Sequence, residues 1–149
     1  MGVIDGVQIT PLKIIEGAAG NVMHALKAQE ESFNGFGEAY FSTVSYRAVK
    51  GWKKHRQMVL NIIVPVGAIR FVLYDGREES PTYGGIEELR LSPANYQRLT
   101  VPTGVWMAFS GDSEGLNMLL NIASIPHDPS EADNLPLDNE LIPYKGFAV

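Results

Sequence analysis

Turn signals recur along this chain at intervals too short for most helices. Asn34-Gly35, Val66-Gly67, Asp75-Gly76, Gly84-Gly85, Pro102-Thr103-Gly104 and Gly111-Asp112 punctuate it. Between them lie short runs rich in β-branched and aromatic residues. That combination predicts an all-β sandwich or barrel. The clearest strands are expected over 58–64, 69–74, 99–101, 106–109 and 117–123. Alternation puts Ile69, Phe71 and Leu73 on one face and Arg70, Val72 and Tyr74 on the other. Pro65 is expected to end the first of these runs, because an interior proline would cost a ladder bond. One helix is predicted over 21–31, with Val22, Leu26 and Met23 on one side. Residues 126–143 are rich in proline and acid and read as an extended wrap or loop.

A chain of 149 residues is expected to form one domain over 1–149. It has no cysteine, which excludes disulfides and thiolate metal sites and fits a reducing cytoplasm. Residues 1–15 lack the pattern of a signal peptide, and no stretch is apolar and long enough for a membrane helix. A net charge of −5 argues against nucleic acid as partner. The distribution of charge is more informative. Residues 39–74 contain no Asp or Glu, yet hold Arg47, Lys50, Lys53, Lys54, Arg56 and Arg70, six of the 12 Lys and Arg. Residues 128–140 are acidic, with Asp128, Glu131, Asp133, Asp138 and Glu140. A basic centre in an acidic protein suggests a local anion site; the alternative is a solvated basic edge that deters strand aggregation.

Within the basic window, strand alternation would put Lys53, His55, Gln57, Val59 and Asn61 on one face, with Trp52, Lys54 and Arg56 on the other. Lys53 and His55 then form a pair able to face a barrel mouth. Histidine serves as a general base near neutral pH, and a neighbouring lysine can bind an anion. Two asparagines interrupt apolar strands in like surroundings, Leu60-Asn61-Ile62 and Leu120-Asn121-Ile122. A buried amide needs partners. Asn121 is read as structural, while Asn61 stays open between structure and ligand contact. His24 on the predicted helix and His127 in a Pro-His-Asp-Pro loop are read as structural or solvated. Neither a His-x-His nor a Glu at ligand spacing accompanies His55, so no metal is expected, and no cofactor.

The ordered segments Ser80-Pro81-Thr82-Tyr83-Gly84, Leu91-Ser92-Pro93-Ala94-Asn95 and Leu99-Thr100-Val101-Pro102-Thr103-Gly104 resemble the dTDP-4-dehydrorhamnose 3,5-epimerase family, which runs S-P-T-x-G, L-S-x-x-N, L-x-I-P-x-G. Asp75 and Arg77 fall on its D-x-R, and Val49-Lys50-Gly51-Trp52-Lys53 on its L-R-G-L-H. The likeness spans about residues 41–129. A related pattern, R-G-x-H-A-H-K of the dTDP-sugar 3,4-ketoisomerases, puts its second His on His55. The resemblance implies a cupin double-stranded β-helix (jelly-roll), a homodimer, a nucleotide-sugar ligand and no metal. It departs from the pattern at Lys53 and Met107, where the epimerases have histidines, and near residues 119–121, where no tyrosine matches. The chain also ends before the stretch expected to carry an acidic partner for the epimerase His. The implied roles are His55 as base or acid, Lys53 on the enolate oxygen, Arg47 and Lys50 on the diphosphate, and Asn61 in the pocket. The alternative function is a non-catalytic sugar or sugar-nucleotide binding protein.

Overall fold

The computed structural model describes residues 4–147. Its strands are β1 (Gln8–Pro11), β2 (Ile14–Ile15), β3 (Val22–Met23), β4 (Glu38–Thr43), β5 (Val49–His55) and β6 (Leu60–Val66), followed by β7 (Ile69–Asp75), β8 (Ile86–Leu91), β9 (Gln97–Val101), β10 (Val105–Gly111), β11 (Met118–Ala123) and β12 (Ala132–Asn134). Two antiparallel five-stranded sheets face each other, ordered β1-β9-β6-β11-β4 and β12-β5-β10-β7-β8. This is the jelly-roll expected from the turn spacing and the resemblance.

β7 shows why the layers form. Ile69, Phe71 and Leu73 point between the sheets and are fully buried with Ile62, Val64, Leu91 and Leu99. Val72 and Tyr74 point outward, yet they too are covered, packing with Trp52, Trp106, Ile142 and Phe147. The second sheet is therefore apolar on both faces, and the C-terminal segment seals its outer one. Each such large side chain contributes roughly 1.5–3 kcal/mol by burial. Phe71→Ala would open a cavity in the central layer and cost roughly 3–5 kcal/mol.

Two expectations are corrected. Residues 21–31 do not form a helix. Val22–Met23 pairs with Ile14–Ile15 instead, and the rest runs as turns. The segment is too short to offset helix nucleation by itself, and tertiary bonds claim its polar groups. The buried Arg98 guanidinium donates to the Ala25 carbonyl at 2.7 Å, to Glu30 at 2.8 Å and to the Ser32 hydroxyl at 2.7 Å. Nor does Pro65 end its strand. β6 continues to Val66, because the register against β11 shifts between Ile63 and Val66. A bulge there accommodates the missing N–H.

Candidate active site

One end of the space between the sheets is left open as a cavity of about 290 Å³, at the small end of ligand sites. Its floor is apolar, from Leu60, Ile62, Leu119 and Phe109; its polar groups come from β4, β5, β11 and β12.

β5 supplies the cations. Lys53 and His55 both line the cavity, as their two-residue spacing requires. Lys50 lies at odd spacing from Lys53, and simple alternation would turn it away. A bulge rotates it back. Lys50 pairs with Phe109 and Lys53 with Met107, so β5 carries one extra residue there. Gly51 makes this shape accessible: its φ is +137°, and a Cβ would lie 2.6 Å from the Ala108 Cβ and 2.9 Å from the Met107 oxygen. Lys50 Nζ donates to the Thr43 carbonyl at 2.6 Å and the Ser42 hydroxyl at 3.2 Å. Among the described residues, neither Lys50 nor Lys53 has a carboxylate partner.

His55 has one. Its Nδ1 contacts the carboxylate of Glu131, 76 positions away. Glu131 is 4 % exposed and ends a 3-10 turn, Pro129–Glu131, capped by Asp128. β12 follows at once and pairs Ala132 with His55, Asp133 with Lys54 and Asn134 with Lys53. Glu131 also accepts from the backbone N–H groups of Gln57 and Met58 at 3.1 and 3.2 Å. Burial pushes its carboxyl up, but the His55 contact and these two N–H groups outweigh burial and hold it below the usual glutamate range. An ionised carboxylate on Nδ1 fixes the histidine tautomer with its proton on Nδ1, leaving Nε2 as the basic nitrogen.

The acidic segment also absorbs part of the basic window. Asp133 pairs with Lys54 at 3.3 Å and with Arg56. Arg70 is taken by Glu88 at 2.9 Å on the outer face of the second sheet. Arg47 sits exposed in the loop before β5, its guanidinium over the Tyr46 ring. It does not line the cavity, contrary to the diphosphate-binding role expected for it.

Asn61 is likewise corrected. The chain turns between His55 and Leu60, so alternation does not carry from β5 into β6. Leu60 and Ile62 line the cavity, and Asn61 faces the opposite side of its sheet. There it donates to the Ser32 carbonyl at 2.9 Å and accepts from the Thr100 hydroxyl at 2.6 Å. Asn121, read from the sequence as structural, lines the cavity instead. Its amide donates to the Tyr40 hydroxyl at 3.0 Å, while its buried carbonyl oxygen has no hydrogen-bond partner among the described residues. Sequence reasoning missed Glu131, Asn121 and Tyr40. For Glu131 a signal existed, since an acid-rich segment complemented an acid-free one. For Tyr40 none did.

His24 lies by a shallow groove near the N-terminus, and its carbonyl accepts from Tyr96 at 2.7 Å. His127 is exposed. Among the described residues no three His, Cys, Asp or Glu cluster as a metal site would require.

Residues 3–142 match the sequence-family model described as dTDP-4-dehydrorhamnose 3,5-epimerase. A crystal structure of a dTDP sugar isomerase from Desulfovibrio desulfuricans G20 is 39 % identical and superimposes with a TM-score of 0.94, covering 97 % of this chain and 93 % of that one. The probable low-salt glycan biosynthesis epimerase Agl13 of Haloferax volcanii is 24 % identical over 143 residues, 95 % of this chain and 88 % of that protein. The spore coat polysaccharide biosynthesis protein SpsL of Bacillus subtilis is 25 % identical over 143 residues, 95 % of each.

Proposed function

This chain belongs to the dTDP-4-dehydrorhamnose 3,5-epimerase family, and from that premise we propose that it is an epimerase or isomerase of nucleotide-activated deoxysugars. Its substrates are of the dTDP-4-keto-sugar class, and its products feed glycan or polysaccharide assembly. The observation that carries this reading is the His55–Glu131 pair at the rim of an apolar cavity, beside a lysine with no carboxylate partner.

A proton on carbon next to a ketone becomes removable when a base is positioned and the enolate oxygen is stabilised. His55 Nε2 takes that proton. Glu131 holds the ring and stabilises the imidazolium that results. Lys53, two residues away on the same face, meets the developing enolate oxygen. The base thus sits two positions along β5 from where the family pattern has its histidine, and Lys53 occupies that place. Lys50, turned inward by the bulge, meets the diphosphate as a charge-assisted donor. Arg47 and Asn61 have no part in this reading.

We further propose that the chain acts as a single domain and a homodimer in the cytoplasm; the exposed Phe36, just before edge strand β4, and Phe41, on it, give a second copy a surface to cover.

The test is solvent exchange. Wild-type protein in D2O with dTDP-4-dehydrorhamnose, or its 3,5-epimer, should incorporate deuterium at the carbons flanking the ketone, and His55→Ala should not. No incorporation with either compound rejects the enzyme. If dTDP-sugars still raise the melting temperature, a non-catalytic sugar-nucleotide binding protein remains.

A further inference from the structure

We propose that Asn121 is a specificity-determining residue of the sugar site, its Oδ1 accepting a hydrogen bond from the 2-hydroxyl of the substrate sugar. The inference rests on the sugar-nucleotide reading above and adds which part of the sugar is recognised.

Asn121 is 2 % exposed and lines the cavity. Its neighbours there are apolar: Leu119, two residues before it on β11, and Ile62, opposite it on β6. A buried amide in such surroundings needs partners at both ends. Asn61, on the other face of the same sheet, finds both within the protein. Asn121 finds one. Its Nδ2 donates to the Tyr40 hydroxyl at 3.0 Å, from the position directly across on β4. That bond decides which end of the amide is left over. It is Oδ1, which has no hydrogen-bond partner among the described residues. A carbonyl oxygen only accepts. What completes it is therefore a hydroxyl or N–H group, and not a ketone, a ring oxygen or a methyl.

Position narrows the choice of hydroxyl. Lys50, the diphosphate's partner, reaches Ser42 and Thr43 on β4. Moving away from the loop that joins β4 to β5, the next cavity-lining residue on β4 is Tyr40, with Asn121 beside it. On β5 the next cations are Lys53 and His55. Asn121 thus stands one step beyond the diphosphate end, on the way to the reacting carbons. A 4-keto-6-deoxy sugar offers its 2- and 3-hydroxyls there. The 3-hydroxyl sits on a carbon flanking the ketone, and it swings to the other face when that carbon inverts. The 2-hydroxyl keeps its place from substrate to product. β11 is bonded on both sides, to β6 and β4, so its amide is a fixed acceptor. Such an acceptor holds one bond through the whole reaction only with the 2-hydroxyl. A site built to bond a hydroxyl rejects an analogue that lacks it, because its buried acceptor then stays unpaired.

The experiment measures binding of dTDP-6-deoxyglucose and dTDP-2,6-dideoxyglucose by titration calorimetry. Both carry a hydroxyl where the substrate has its ketone, so neither reacts. Wild type is expected to bind the first about 10-fold or more tighter than the second. Asn121→Leu should bring the two within about twofold, chiefly by weakening the first. Asn121→Ala, which adds no bulk, is the second variant, and melting temperatures establish that each is folded. Equal binding of both ligands by wild type would overturn the assignment and leave the deuterium test of the epimerase reading untouched. So would full discrimination retained by both variants, since the hydroxyl's partner then lies elsewhere. If wild-type protein binds neither ligand, the sugar-nucleotide reading itself falls and takes this one with it.

Discussion

The tripeptides Leu60-Asn61-Ile62 and Leu120-Asn121-Ile122 look interchangeable in the sequence, and they lie side by side in the fold. β6 and β11 are antiparallel neighbours, with Asn61 opposite Ile122 and Ile62 opposite Asn121. The pairing is offset by one residue, so the two asparagines point to opposite faces of one sheet. Asn61 is 3 % exposed and Asn121 2 %, so burial does not separate them. Their partners do. Asn61 is satisfied on both amide atoms, tying the segment around Ser32 to β9 through Thr100. Asn121 keeps at the cavity a carbonyl oxygen with no partner among the described residues. A buried amide with both groups paired is building material, whereas one left half-paired at a cavity is free to accept a further hydrogen bond.

The sharpest test of this division acts on the cavity face alone. His55→Gln keeps a donor for Glu131 but removes the base, so deuterium incorporation should fall by roughly 10²–10⁴-fold with little change in denaturant midpoint. A large loss of stability would mean that the cavity face is also structural. Next, the asparagines can be set against each other. Asn61→Leu strands the Ser32 carbonyl and the Thr100 hydroxyl and should cost roughly 2–4 kcal/mol in urea unfolding. Asn121→Leu should cost less than about 1 kcal/mol and instead weaken dTDP-sugar binding. Equal destabilisation by the two would erase the distinction.

A smaller effect separates the cations. Lys50→Ala should weaken dTDP-sugar binding by roughly 1.5–3 kcal/mol, the scale of a hydrogen bond to a charged group. Arg47→Ala should change it by less than about 0.5 kcal/mol; titration calorimetry reads both, and parity would return Arg47 to the site. The smallest expected effect is that of pH. Glu131 has its carboxyl held below the ordinary glutamate value of about 4.5, so the stability it contributes is present above that pH and lost as pH falls through its lower folded value. Thermal melts should show wild type above Glu131→Gln near neutrality, with the gap closing below about pH 4.5. A gap independent of pH would show that the carboxylate charge is not what matters at position 131.

What could be read from residues alone was local. Turn residues and alternation located the main strands, put Ile69, Phe71 and Leu73 on the core face, and paired Lys53 with His55, because the two-residue period holds wherever a strand is unbroken. It failed at each break. The turn after His55 reversed the face expected for Asn61. The bulge at Gly51 brought Lys50 inward against simple parity. The helix expected over 21–31 gave way to bonds from a single buried arginine. Farthest from local logic is the contact between His55 and Glu131. An acid-free window and an acidic segment announced complementary charge, but which acid would meet which base depended on β12 docking antiparallel to β5. That docking spends Asp133 on Lys54 and Arg56 and leaves Glu131 for the histidine. The sequence by itself determined the strands and their faces, since both follow from nearest-neighbour geometry. Only the tertiary structure decided which asparagine is at the cavity and which carboxylate holds the base, because strand register and sheet packing join residues that no local period connects.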